Sequence, residues 1–566
     1  MKKIILVLFL SFSGQLIFAQ LIDNLAIGIE SNGAWYNDDK KTGPFQDDVN
    51  NDSDEHLRFN NYLKIDYKFL KNFTASVQVE SYEPFALLNY SPNLKGTNLG
   101  TYSLNYKNAK LDVTAGHYYA QFGSGLILRN WEDRQLGINN ALFGGKAEYS
   151  PTDYLSLTAL YGKQRVGFDL SDGEFFGFNT EFNVSNALQF EKSNISLGFS
   201  YVGRKEATDI IDAEFNELTN AFSGRIDFSH NNFYSSMEYV AKGEDAVVQN
   251  INDNNIFPDD FIKPGNALLL NAGYSKSGFG LDATFRRLEN MSFYSDRNTA
   301  GNVYFENIAN FIPALTKQHD YLLTNIFVYQ PQGIVNFTYD AGIFKVGEIG
   351  GQVDLYYKIK KDTPLGGKYG TKIAVNASYW SGLKGDVSTD FENIDYDMDF
   401  LGFGSKYFSD VSLEVRKKWN KKLSSIFYYV NQYANQKEML SIFSAETIKT
   451  NILVAESTYK LGKGRSFRIE AQKLWSNSED HNWIGGTLEY NFNSKFSIYV
   501  NDIYNSGSDK DTEKTHYYNL GGSFTKGATR LGLNYGRQRA GLVCVGGVCR
   551  FVPEATGLTM NLTTTF

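Results

Sequence analysis

The sequence predicts an all-β fold, a transmembrane antiparallel β-barrel of about 24 strands, with 22 to 26 compatible with the pattern. Three observations carry this reading. Apolar and polar residues alternate strictly over many short segments, short and long connections alternate along the chain, and the chain ends in alternating apolar residues up to Phe566.

Composition sets the frame. Aromatics make up 15% of 566 residues, with 37 Tyr and 43 Phe against 10 Pro and 6 Met, yet the mean hydropathy is −0.35. A barrel reconciles the two, because lipid-facing and lumen-facing residues alternate and their hydropathies cancel. Met1-Lys2-Lys3, the apolar run Ile4 to Leu10 and Ile17-Phe18-Ala19 before Gln20 read as a secretory signal over 1–19. Residues 20–566 then form a single barrel domain. No later run reaches the ~18 apolar residues of a spanning helix.

In 57–69, Leu57, Phe59, Leu63, Ile65, Tyr67 and Phe69 share one face, and Arg58, Asn60, Lys64, Asp66 and Lys68 the other. The split recurs at Phe73, Ala75, Val77, Val79 against Thr74, Ser76, Gln78, Glu80, and at Val353, Leu355, Tyr357, Ile359 against Asp354, Lys358, Lys360. Tight links such as Lys71-Asn72, Lys276-Ser277-Gly278 and Asn493-Ser494 alternate with polar stretches near 37–55, 83–98, 204–217, 244–262, 383–400 and 542–555. Short periplasmic turns and long outer loops produce that rhythm. In the last strand Leu558, Met560, Leu562, Thr564 and Phe566 lie on one face. This resembles the terminal strand read by the barrel-assembly machinery, which makes that machinery an expected partner during insertion.

Two stretches depart from the pattern and are expected to turn into the lumen. One is 122–143, where glycines flank Leu126, Ile127, Leu128 and Trp131 and the charges Arg129, Glu132, Asp133 and Arg134 cancel within the loop. The alternative for those charges is a set of solvated pairs on an outer loop. The other is 290–346, which lacks sustained alternation and is long for a plain connection; a missed strand pair is its alternative.

Cys544 and Cys549 flank Val545-Gly546-Gly547-Val548, a two-residue turn candidate that sets the cysteines opposite each other. Two cysteines so spaced in an exported chain predict one disulfide. Two octapeptides, 161–168 and 535–542, echo each other and close strands just before outer loops. By parity Lys163, Arg165, Arg537 and Arg539 continue apolar faces, which places them at the rim beside lipopolysaccharide phosphates; a bulge turning them inward onto carboxylates is the alternative.

The stretch 121–165, from Gln-Phe-Gly-Ser-Gly-Leu through Arg-Asn-Trp-Glu-Asp-Arg-Gln-Leu-Gly to Tyr-Gly-Lys-Gln-Arg, together with Leu365 to Thr371 and Gly546 to Pro553, resembles a functionally uncharacterised family of large outer-membrane barrel proteins of Bacteroidota. The resemblance implies the barrel and the cell outer membrane, with its lipid and lipopolysaccharide as surroundings. It implies no substrate and no site residue.

Asp48, Asn50 and Asp52 offer oxygens at alternate positions, a weak calcium pattern without the glycine that a calcium loop needs at its turn. The loop 383–400 is acidic and reads as solvated surface. No cofactor motif appears, and six scattered His without a nucleophile or metal motif predict a protein that is not an enzyme. A net charge of −8 argues against a nucleic-acid binder. The expected function is a channel or transporter-like barrel with a restricted lumen, whose mixed charges (Glu414, Arg416, Lys418, Arg468, Glu470) give no ion preference. The alternative is a non-conducting scaffold or accessory subunit that binds other outer-membrane proteins during assembly or secretion. Conductance discriminates the two.

Overall fold

The computed structural model describes residues 24–42, 56–87, 91, 93–207, 216–246, 250–251, 254–255, 261–296, 306–333, 335–338, 343–390, 393–441, 446–477, 482–508, 514–545 and 548–566. The expected signal segment and Asp48, Asn50 and Asp52 lie outside these residues.

Among the described residues, 24 strands form one antiparallel sheet that closes on itself. Each strand pairs with its neighbours in chain order, and the ring is sealed where the first strand, Leu25–Asn37, pairs with the last, Ala555–Thr565. Phe566 completes the seam: its N–H donates to the Ile27 carbonyl at 2.9 Å, and its own carbonyl accepts from Ile27 at 3.2 Å. Closure leaves no unpaired sheet edge.

Alternation decides which face is which. Along Leu57–Phe69, Arg58, Asn60 and Tyr62 are buried while Leu63 and Tyr67 are exposed. The same inversion holds around the ring, with Leu413, Phe427, Leu453 and Ile484 exposed outside, and Glu80, Arg204, Glu348 and Asp410 buried inside. A soluble protein hides its apolar face; this one displays an apolar girdle and hides its polar face.

Both described chain ends lie at the end with tight turns, as at Leu70 to Asn72 and Ser277-Gly278. The connections depart from strict rhythm at several places, among them the near-end connection 184–192, which carries the helix Val184–Leu188. Strands Leu155–Val166 and Asp169–Asn183 are joined at the far end by only Gly167-Phe168, and 360–370 is long at the near end. The acidic stretch 383–400 is not a loop: residues 383–390 and 393–400 belong to strands Thr371–Asp390 and Asn393–Lys418, which form one long hairpin with three register shifts. Its carboxylates Asp395, Asp397 and Asp399 occupy one face, while buried Ile394 and Tyr396 on the other pack with Phe261, Val335 and Val346.

Candidate functional site

A ring of 24 strands is too wide for its own side chains to fill, and two segments occupy the lumen toward the far end. In the first, Phe122, Leu126, Ile127 and Leu128 are at most 2% exposed. They pack on wall residues Val202, Val240, Ala267 and Leu288. In the second, Tyr321, Leu323, Phe327 and Tyr329 pack on the inward faces of Trp380, Phe408, Tyr428, Val430 and Ile452. The wall thus presents apolar residues on its lumen face where these segments seat against it.

The two segments also hold each other. Arg129 N–H donates to the Ala309 carbonyl at 2.8 Å, and Phe311 N–H to that of Gly125 at 2.9 Å. The Asn310 amide donates to the carbonyls of Leu126 (3.0 Å) and Met291 (2.6 Å). Trp131 meets Phe311 edge to face at 5.3 Å.

Buried ion pairs join wall strands to one another, and the same carboxylates take hydrogen bonds from the segments. Glu80 receives both guanidinium N–H groups of Arg165 at 2.8 and 2.6 Å, with the Gln78 amide and the Tyr82 hydroxyl as further donors. Gln78 in turn bridges Arg134 and Glu132, and Arg134 reaches Glu30 at 3.2 Å. A second anchor is Glu348, which accepts from Arg286, from the Tyr329 hydroxyl and from the Gln332 N–H. Arg286 also donates to the Pro313 carbonyl at 2.7 Å. Both pairs are 1% exposed or less, and at that depth pairing and complete hydrogen bonding offset the cost of burying charge.

The four charges of the first segment thus divide. Glu132 and Arg134 join the wall network. Arg129 instead lies 3.9 Å over the Phe311 ring, and Asp133 caps the N–H of Leu136 at 3.0 Å. Burial lowers the Arg129 pKa from its ordinary value.

The four cations expected at a phosphate-binding rim are separated by the structure. A register shift between Lys163 and Arg165 turns Arg165 into the lumen, where Glu80 takes its charge, so it does not reach the rim. Lys163 lies 3.9 Å from Glu174. Arg537 is clamped by Asp39 at 2.6 and 3.0 Å. Arg539 turns inward toward the Ile326 carbonyl, and burial lowers its pKa from the ordinary value. Carboxylates supply the counter-charge that phosphate was expected to supply to Arg165 and Arg537.

Between the second segment and the wall lies a cavity of about 460 Å³, lined among others by Lys317, His319, Asp410, Gln432 and Arg539. Asp410 Oδ2 accepts from the Gln432 amide at 2.9 Å and lies 2.9 Å from His319 Nε2. The other ring nitrogen of His319 meets the Tyr428 hydroxyl. Asp410 is 1% exposed, and its Oδ1 has no hydrogen-bond partner among the described residues, so it remains an acceptor for a polar guest. The sequence showed His319 beside Asp320; its partner is Asp410, 91 residues away. Inward parity with Glu414 was the only available signal for Asp410. Among the described residues, no three His, Cys, Asp or Glu side chains group so as to hold a metal ion.

Nearby, the Lys345 ammonium is buried and donates to the Gln332 side chain (2.9 Å) and the Met439 carbonyl (3.0 Å). Desolvation pushes its pKa down to about 8, against the opposing pull of Glu438. In the last long connection, strands Gly541–Val545 and Val548–Val552 set Cys544 opposite Cys549. Cys549 is buried and disulfide-bonded. At the seam Leu558 is exposed on the outer face and pairs with Trp35. Met560 pairs with Gly33 and Leu562 with Ser31.

The chain belongs to DUF6029, a family of unknown function whose model matches residues 1–566. Comparison with curated proteins yields no match. Among solved structures, it is similar to the siderophore receptor PirA from Pseudomonas aeruginosa, with a TM-score of 0.40 and 7% identity over 97% of this chain and 81% of that one. It is also similar to the outer membrane protein OpdK of the same organism, with a TM-score of 0.36 and 8% identity over 81% of this chain and 100% of that one. The P. aeruginosa protein OpdL gives 0.35 and 11% over 85% and 99%.

Proposed function

We propose that this DUF6029 protein is a β-barrel of the Gram-negative outer membrane, of channel or transporter type, whose lumen is narrowed by the segments around 122–143 and 306–335. The resemblance in 121–165 points to a Bacteroidota host. The observation that carries the reading is the inverted burial: an apolar girdle faces out, and a polar, charged wall faces a lumen too wide to fill itself. A scaffold needs no such lumen. Toward the near end the lumen charges remain partly exposed, with Arg468 27% exposed among Glu456, Glu470 and Glu489, while toward the far end the pairs are sealed. The cavity beside His319 and Asp410 is the point where a small polar solute would pause between them.

Planar-bilayer recording tests this. The intact barrel is expected to show small, infrequent openings. Asn310→Leu removes the amide that joins the two segments and is expected to raise open probability. A barrel silent in both forms, which co-purifies with stoichiometric protein partners, would sink the channel reading in favour of a scaffold.

A further inference from the structure

The outer wall offers a feature that the lumen does not explain. On four adjacent strands, Asn393–Lys418, Leu423–Asn435, Thr447–Gly462 and Arg465–Ser476, the buried residues Tyr428, Val430, Ile452, Val454 and Leu474 point inward. Their alternates therefore point out, and Leu413, Phe427, Tyr429, Leu453 and Trp475 are 38% to 49% exposed. Ala455 and Ala471 face each other in register among these larger side chains. Their small size leaves an almost wholly apolar groove of about 470 Å³ on the outer surface.

Toward the far end the groove meets a strip of three lysines. Lys473 borders it. Lys449 lies beyond, directly across from Tyr433. The Lys406 ammonium sits 4.1 Å from the centre of the Tyr433 ring and 5.5 Å from that of Tyr379. Lys406 and Lys449 are close enough to repel each other. Among the described residues none of the three forms a salt bridge, and the Lys473 ammonium has only the Ser506 hydroxyl, at 3.1 Å. An uncompensated cationic strip over an apolar trough, framed by tyrosines and a tryptophan, has the chemistry of a lipid with an anionic head.

We propose that this face binds an acylated, phosphorylated glycolipid of the outer leaflet, with its phosphates on Lys406, Lys449 and Lys473 and an acyl chain in the groove over Ala455 and Ala471. The proposal rests on the outer-membrane reading above. The strip crosses three strand spacings, roughly 14 Å, and since Lys473 pairs with Leu453, four residues along the strand from Lys449, it also climbs at least roughly 13 Å along the strands; that is more than one phosphodiester spans, so a sugar-based head with several anionic groups fits better than a glycerophospholipid.

The test uses the full barrel in detergent micelles, with rough-type lipopolysaccharide as probe and native mass spectrometry as readout. Lys406→Gln with Lys449→Gln is expected to weaken binding at least roughly tenfold, the loss of one or two charge-assisted contacts. Lys406→Arg with Lys449→Arg restores it, and Ala455→Phe, which fills the groove without touching charge, weakens it again. Heat-modifiable electrophoretic mobility verifies that each variant is folded. Unchanged affinity in the glutamine variant, equal binding of dephosphorylated lipopolysaccharide or of phosphatidylglycerol, or a protein held by the lysines in place of lipid would each overturn the site. Cell fractionation is scored separately. A barrel found in the outer membrane with lysine-independent binding overturns the site alone, and a barrel absent from that membrane overturns the functional reading.

Discussion

Glu80 to Gln is the substitution whose consequence the structure sets most sharply. Five hydrogen bonds converge on this carboxylate: two from Arg165 and one each from Gln78, Tyr82 and Asn139. Glu80 is 0% exposed and Arg165 is 1% exposed, so water cannot replace what is lost. Glutamine keeps the shape but carries no charge, and one of its two terminal atoms is a donor facing donors. The guanidinium of Arg165 is left buried with only the Gly167 carbonyl, 2.6 Å from its Nε, as a strong acceptor. Breaking one side of a buried pair costs about 3–5 kcal/mol. The lower bound already shifts the unfolding equilibrium on the order of a hundredfold.

The measurement is urea unfolding in micelles, followed by tryptophan fluorescence. Because the cost comes from a stranded charge, removing both partners is expected to be cheaper than the sum. Glu80→Leu combined with Arg165→Met should recover about 0.5–3 kcal/mol of the two single losses. A single-variant loss below about 1 kcal/mol, or strict additivity in the cycle, would refute the view that this pair fastens the wall strands together.

Three further outcomes follow from sites outside the 24 barrel strands. Lys345 has its pKa pushed down to about 8 in the fold, against about 10.4 when unfolded, so between those values the unfolded state binds more protons and stability rises with pH. The gain approaches about 3 kcal/mol; it is absent below pH 8, and Lys345→Met should flatten the slope in urea titrations at pH 7.5 and 10. Asp39 is pushed up by burial, but the Lys41 N–H, the Thr556 hydroxyl and Arg537 outweigh this and lower its pKa overall. Its stabilisation is accordingly present at neutral pH and lost as pH falls through its folded value, and Asp39→Asn should remove that acid sensitivity, read as hydrogen exchange at the first outer connection. Reduction of the bond at Cys549 should cost about 2 kcal/mol for so short a loop and loosen the hairpin from the Tyr329 carbonyl, 3.7 Å from Cys549 Sγ; unchanged proteolysis of 541–552 under reductant would count against it.

The strands were legible because a strand announces itself locally: two residues per repeat, one face for lipid and one for the lumen. The opposition of Cys544 and Cys549 was legible for the same reason, since a two-residue turn fixes its own register. Legibility failed where geometry depends on distant partners. Parity carried from Leu155 to Tyr161 places Arg165 outside, and only the shift at Lys163 reverses it. Nothing in the sequence near 163 signals that shift; a carboxylate 85 residues earlier rewards it. The acidic density of 383–400 masked an alternation that was present in Ile394, Tyr396 and Met398 against Asp395, Asp397 and Asp399.

The same asymmetry explains why the barrel declares its architecture more readily than its cargo. A lipid-facing surface is built by repetition, so each strand restates it. The lumen is built by singular contacts, and those divide along the far half into two kinds of wall. Where charged side chains face in, as at Glu80 and Glu348, buried ion pairs with Arg165 and Arg286 hold wall strands together and the segments hydrogen-bond to those carboxylates, an arrangement that is strong only while both partners are present. Where apolar side chains face in, as at Trp380, Phe408 and Ile452, the segment Tyr321–Tyr329 is seated by packing, which yields in smaller steps when a side chain is trimmed. The cavity lies at the boundary between the two, with His319 and Tyr329 carried by the segment and Asp410 and Phe408 by the wall. A passage that opens is expected there, where the packed segment can shift from the wall without separating a buried charge pair. His319→Phe, which severs the link to Asp410 while keeping the ring, should therefore raise conductance more than a change at Glu80 of equal thermodynamic cost. Equal conductance at matched destabilisation would show that the segments move together and that the boundary has no special role.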